Sequence, residues 1–317
     1  MRRPVIIASI LLLALACDKP KEDENATPAI PLTDMSKASA VLFEVYGARD
    51  EPKAAPIAVV IDGALEPITL DEEGWRALDS TYFVAGARLP MYRDGADVGA
   101  VEIVRGMWTK DAPALYTLPG CRDVVPQAEV RLQATIPTEE SVEFLASSTS
   151  LQQPKPGPAL PPDASAVGRT LANAVASSRG VGREETEKLD FISRWLRTGA
   201  GPTGRTLLAS YIDPNAGDAG PGAGHTTMLL VLAEDSAGTQ NTSYAHLSNG
   251  EARTVDFQRV ANHVDLDGDG VDEVILEQWR YAAVPEIVIL KFKAGKWEEV
   301  FRRSMEWCLS KNSDGRR

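Results

Sequence analysis

Histidine and cysteine are scarce, with three of each in 317 residues. A zinc centre needs three or four converging ligands, so one built from these would have to recruit at least half of the imidazoles and thiols in the chain. His225, His246 and His263 all fall in the C-terminal half. If segments 225–233 and 239–247 pair as a hairpin, His225 and His246 lie near one end of it. The chain also lacks H-E-x-x-H, G-x-S-x-G, a Walker loop and a dinucleotide fingerprint. No enzymatic role is expected from motifs; the enzymatic alternative is an exported, hydrolase-like protein whose site no motif reveals. Base is in deficit, with 33 Lys and Arg against 45 Asp and Glu and a net charge of -12. That balance argues against nucleic acid as a partner, because a phosphate backbone selects basic surfaces. Aromatic residues make up 6% of the chain. Trp279, Tyr281 and Trp297 are the candidates for a carbohydrate or adhesion surface, though Trp297 sits in the alternating segment 295–300, where a core role fits better.

Lysine and arginine are absent from the stretch Val264 to Leu276. Asp265, Asp267, Asp269, Asp272 and Glu273 place five carboxylates in nine residues there. Such a cluster repels itself unless a cation sits among the oxygens. Asp265, Asp267 and Asp269 can turn inward from alternate positions, and Gly270 permits the positive φ that curls the loop. The Val271 carbonyl and the Glu273 carboxylate would complete an all-oxygen shell, which suits calcium better than the tighter octahedron of magnesium. The alternative is a solvated acidic turn with no metal.

An EF-hand needs a Glu at position twelve and a following helix. Position twelve here is Leu276, and Val274-Ile275-Leu276-Glu277-Gln278-Trp279 is strand-like. The pattern D-x-D-x-D-G-x-x-[DE] before an apolar strand resembles the calcium loops of FG-GAP repeats, found in integrin-like β-propellers and bacterial VCBS-type proteins. The resemblance covers roughly residues 255–300. It implies ligands at Asp265, Asp267, Asp269, Val271 (by its carbonyl) and Glu273. Glu273 stands where Asp is usual, and the motif occurs once rather than several times, so the resemblance extends to the loop and not to a whole propeller.

Arg2 and Arg3 precede a twelve-residue apolar run, Val5 to Ala16, too short to span a bilayer but suited to an export signal. It ends in Leu13-Ala14-Leu15-Ala16-Cys17, which resembles a bacterial lipobox with Cys17 as the lipidated residue. The resemblance implies a bacterial envelope protein whose membrane partner is its own lipid anchor; the alternative is an ordinary cleaved signal with Cys17 free. Cys121 and Cys308 then remain, an even number in an oxidising compartment. Either they pair, or they are two separate thiols.

The expected organisation has six parts. They are a signal peptide with its Cys over 1–17, a polar tether over 18–37, a mostly-β domain over 38–149, a Pro-rich linker over 150–163, a calcium-bearing domain over 164–310 and a tail over 311–317. The first domain alternates at Val41, Phe43, Val45 and at Ile57, Val59, Ile61, with a helix opened by Asp71 carrying Trp75 and Leu78. The second opens with two helices. One carries Val167, Leu171, Ala174 and Val175 after Asp163; the other runs from about Glu184 with Leu189, Ile192, Trp195 and Leu196 on one face. Strands follow to residue 303, as an antiparallel meander. The fold class is therefore expected to be α+β, mostly β, with an FG-GAP-like meander behind a helix pair.

Overall fold

The computed structural model describes residues 31–106, 127–134, 141–151, 159–214, 224–236, 238–280, 283 and 285–304. Cys17, Cys121 and Cys308, with the expected export signal and most of the expected tether, lie outside the described residues.

Strands come first because period-two apolar runs dominate the chain. The first half contains β1 (Ala38–Ala48), β2 (Lys53–Ile61), β3 (Ala64–Glu66), α1 (Glu72–Tyr82), β4 (Arg88–Arg93), β5 (Ala96–Gly106), β6 (Ala128–Ala134) and β7 (Ser141–Ser147). The order across the sheet is β1-β7-β4-β5-β6-β2-β3, and β1 also pairs with β2. That extra pairing closes six strands into a barrel, with β3 attached outside the ring to β2. Its interior is filled by side chains, as in other small barrels. Val41, Phe43 and Val45 of β1 meet Val101 and Ile103 of β5, and α1 adds Trp75 and Leu78 to the same core. Asp71 caps α1 by accepting the Gly74 N–H at 2.8 Å. Asp94 and Gly95, with φ of 50° and 75°, form the tight turn between β4 and β5, since such a turn needs positive φ at both central residues.

The second half contains α2 (Ser165–Ser178), α3 (Arg183–Thr186), β8 (Asp190–Leu196), β9 (Thr206–Ile212), β10 (His225–Ser236) and β11 (Thr239–Glu251). It ends with β12 (Phe257–Val264), β13 (Glu273–Trp279), β14 (Glu286–Lys293) and β15 (Lys296–Ser304). These strands make two four-stranded sheets, ordered β11-β10-β9-β8 and β12-β13-β14-β15. The layers follow from which side chains meet. Ala172 and Ala176 of α2 pack on Leu229 and Val231 of β10. Met228, Leu230 and Leu232, on the opposite face of β10, pack on Val274, Leu276, Val288 and Leu290 of the last sheet. Ile275, Ile287 and Ile289, on that sheet's far face, pack on Leu42, Ile57, Tyr92 and Leu145 from the outside of the barrel. β10 and β14 are thus covered on both faces, which is why each reads as a nearly continuous apolar run.

The expected α+β class is corrected. The described residues are mostly strand: a closed six-stranded barrel, two further sheets and three short helices, not a two-helix domain followed by an FG-GAP-like meander. The second expected helix is where the reading fails. Its helical part, α3, ends at Thr186, and from Asp190 the chain runs as β8, paired to β9 with Ser193 opposite Ala209. The three-and-four spacing of Leu189, Ile192 and Leu196 is accidental: Ile192 is 54% exposed. Phe191 instead packs on Tyr211 with ring centroids 5.1 Å apart, a contact that only the strand provides. The first helix exists, but its most buried stripe is Gly168, Ala172 and Ala176, and Val167 is exposed. The helix lies so close to β8 that a Cβ on Gly168 would fall 2.4 Å from Ser193 Oγ, which selects small residues for that face.

Candidate metal centre

The loop between β12 and β13 is shaped by its own carboxylates. Asp265 is buried, and its two oxygens accept the N–H groups of Gly268 at 2.7 Å and Gly270 at 2.9 Å. Both glycines have positive φ, 80° and 89°. Asp269 Oδ1 accepts the Val271 N–H at 2.9 Å, and Asp267 Oδ1 takes that of Asp269 at 3.4 Å. These are the local turns that short polar side chains favour. Leu266 points the other way, into the core shared with the barrel, and its N–H donates to Glu273 Oε2 at 2.8 Å. Val271 is half-buried against the core between the last two sheets.

The loop brings together three of the five residues expected to bind metal. Asp265, Asp267 and Asp269 each offer an oxygen, and those oxygens all lie within 4.8 Å of one another. Two oxygens on opposite sides of one calcium ion are separated by about 5 Å, given Ca–O distances of 2.3–2.6 Å. The donor set is all oxygen and its dimensions fit a divalent ion. Glu273 joins on the next strand: it is buried, and burial pushes its carboxyl up to about 7, with Asp267 adding to the rise. Asp265 is raised as well, by burial first and by Asp269 and Asp267 second, against the two N–H bonds that favour its charge.

A lysine absent from the sequence argument completes the cluster. The Lys291 ammonium bonds Asp267 Oδ2, lies 2.8 Å from Asp269 Oδ2 and is 3.4 Å from Glu273 Oε1. Burial opposes its charge, but the bonds to Asp267 and Asp269 outweigh that and hold its pKa above the ordinary lysine range. At Asp269 burial likewise works against ionisation, and Lys291 and the Val271 N–H more than offset it. Lys291 lies one residue past the Val274–Leu290 pair of β13 and β14, which places it beside Glu273. Eighteen residues separate Lys291 from Glu273 in the chain, so only the strand register could have revealed it. The centre therefore holds four carboxylates and one ammonium, and one monovalent group does not balance them.

Asp272 is not part of this group. It turns away to His263, whose Nδ1 is 2.6 Å from Asp272 Oδ2, while Oδ1 is buried without a hydrogen-bond partner. Burial raises its pKa, and the His263 bond only partly offsets this. The Asp272 N–H donates to the Thr198 carbonyl at 2.6 Å, and a Cβ on Gly199 would fall 2.4 Å from the Gly270 carbonyl. The turn 198–204 thus lies hard against the back of the loop.

The three histidines do not assemble. His246 faces Leu230 across the hairpin, five residues from His225, and its Nε2 is 2.9 Å from the Asp256 carbonyl. His225 lies 3.8 Å from Glu185, and His263 is taken by Asp272. Among the described residues the candidate aromatic surface does not form either. Trp279 stacks on Phe257 with centroids 5.6 Å apart, and Trp297 is buried with its Nε1–H donated to Glu234 Oε1 at 2.8 Å. Tyr281 lies outside the described residues.

No family model, curated protein or solved structure matches this chain. The functional reading therefore rests on its own residues.

Proposed function

We propose that the loop is a structural calcium site in a lipoprotein tethered to a bacterial envelope membrane. One observation carries the metal reading: oxygens of Asp265, Asp267 and Asp269 lie within 4.8 Å of one another, and among the described residues the ammonium that meets them is Lys291. Asp265, Asp267, Asp269, the Val271 carbonyl and Glu273 would hold the ion. Calcium suits this set because it accepts many oxygens in a flexible shell. Its role would be to neutralise the loop and lock the β12–β13 connection, on which the contacts of Leu266 with the barrel and Asp272 with the 198–204 turn depend. Lys291 holds three of the carboxylates through one charge, and a divalent ion would displace its ammonium towards solvent.

A melting series tests the metal. With calcium at about a hundred times its Kd, the wild type gains roughly 3 kcal/mol. In a chain of this size that raises Tm by about 5 °C over chelator. Asp267→Ala abolishes the shift. Lys291→Met, which removes the competing ammonium, melts lower in chelator and regains the loss with calcium. Identical melts with calcium and with chelator, in wild type and Lys291→Met alike, would overturn the metal reading.

The tether rests on different residues, Leu13 to Cys17, and is tested separately. Cells fed labelled palmitate should label the wild type and leave Cys17→Ser unlabelled and released from membranes. A wild-type chain carrying no label would end that part of the proposal.

A further inference from the structure

A second feature lies where the barrel meets the last sheet. β1 turns Val41, Phe43 and Val45 into the barrel, so Leu42 and Glu44 must face outward. Leu42 meets an apolar surface there, but Glu44 does not find a partner. Its Oε2 is fully enclosed and accepts no hydrogen bond. It lines a small half-open pocket of about 40 Å³, whose walls include Ile57, Leu145, Ile275 and Ile287.

Two further carboxylates line the same pocket, Glu143 and Glu277. Arg259 is committed to both: its Nη1 and Nη2 bond Glu143 at 2.9 and 2.6 Å, and its Nε bonds Glu277 at 2.6 Å. Three carboxylates thus share one guanidinium, and Glu44 is the one left without a donor. Burial, followed by the charges of Glu277 and Glu143, pushes the Glu44 carboxyl up to about 8, with Arg259 only partly offsetting them. Buried polar atoms without partners are rare in folded proteins, and each calls for an explanation. A pocket with apolar walls and a few placed polar groups is the usual form of a small-molecule site. The group that fits here brings both an N–H donor and a positive charge.

We propose that this pocket takes a small primary ammonium ion with an apolar body, its charge paired with the Glu44 carboxylate and its hydrocarbon lying against Ile57, Leu145, Ile275 and Ile287. Binding pairs the cation with the carboxylate, so a Glu44 that carries a proton beforehand releases it to the buffer. The loop at Asp265–Glu273 takes no part.

The test is calorimetric titration of the full chain with n-butylamine, n-butanol and butyrate near neutral pH. Two buffers without primary amines, differing in ionisation heat, report proton release. The amine is expected to bind the wild type, with protons released, while the alcohol and the acid bind at least tenfold more weakly. Glu44→Gln should weaken the amine at least tenfold and, having no buried acid, should melt no lower than wild type. Excess calcium should leave the amine affinity unchanged. The proposal is overturned if no probe binds, if the alcohol binds as well as the amine, if Glu44→Gln binds the amine equally, or if calcium competes with it.

Discussion

Gly99→Ala is expected to destabilise the protein by about 4 kcal/mol, read as a lower urea midpoint with an unchanged slope. Gly99 has φ of +121°, a region L residues rarely adopt, and its own N–H is held by Asp97 Oδ1 at 2.8 Å. It lies opposite Met91 on β4 and Ala134 on β6, so both neighbouring strands fix it. A Cβ there would fall 2.1 Å from the Gln133 carbonyl oxygen. A backbone oxygen cannot swing away as a side chain can, and in a closed ring β6 cannot retreat without straining its contact with β2. Strained backbone contributes roughly 1–3 kcal/mol and overpacking a similar amount. Gly63→Ala provides the control: its φ is +76° with nothing within 4 Å, so only the dihedral term of about 1–2 kcal/mol remains. Equal losses at the two positions would show that the close approach to β6 contributes nothing.

Glu44→Gln is expected to change stability in a pH-dependent way, by up to about 4 kcal/mol. The folded-state pKa of Glu44, about 8, lies above its ordinary value of 4.5. The folded protein therefore binds this proton more tightly than the unfolded chain does. The stability linked to it is complete below pH 4.5 and is lost as pH rises through 8. In that window the wild type loses ground while the glutamine variant, which has no proton to lose, does not. The groups facing Glu44, namely Glu143, Glu277 and Arg259, are present in both proteins, as is the raised Glu273 of the loop, so their contributions cancel in the difference. Urea midpoints measured in amine-free buffer should nearly coincide in mild acid and diverge in mild alkali, with the variant the more stable. A difference that stays constant with pH would show that Glu44 ionises as freely in the folded state as in the unfolded chain.

Much of the local structure was legible because it depends on neighbours in sequence. Asp71 caps α1 three residues before Gly74, and the alternation in β1 and β2 marks strands through side chains that point to opposite faces. The acidic loop was legible for the same reason: Asp265, Gly268 and Gly270 bond to one another within six residues. What could not be read lies across strands. Lys291 reaches Asp267 and Asp269 only through the register of β13 and β14. Leu189, Ile192 and Leu196 match a helical stripe on paper. Which conformation they adopt was settled by β9 offering an edge to pair with and by Phe191 finding Tyr211.

The amino-acid order alone thus determined where strands begin and turn, and that one bend would gather carboxylates, because those outcomes depend on groups a few bonds apart. The tertiary structure decided that β1 closes a ring with β2, that an ammonium stands inside the acidic bend, and that one oxygen of Glu44 is enclosed without a donor. Each of those depends on which surface a distant segment covers, and burial in a shared core, rather than local spacing, makes that choice.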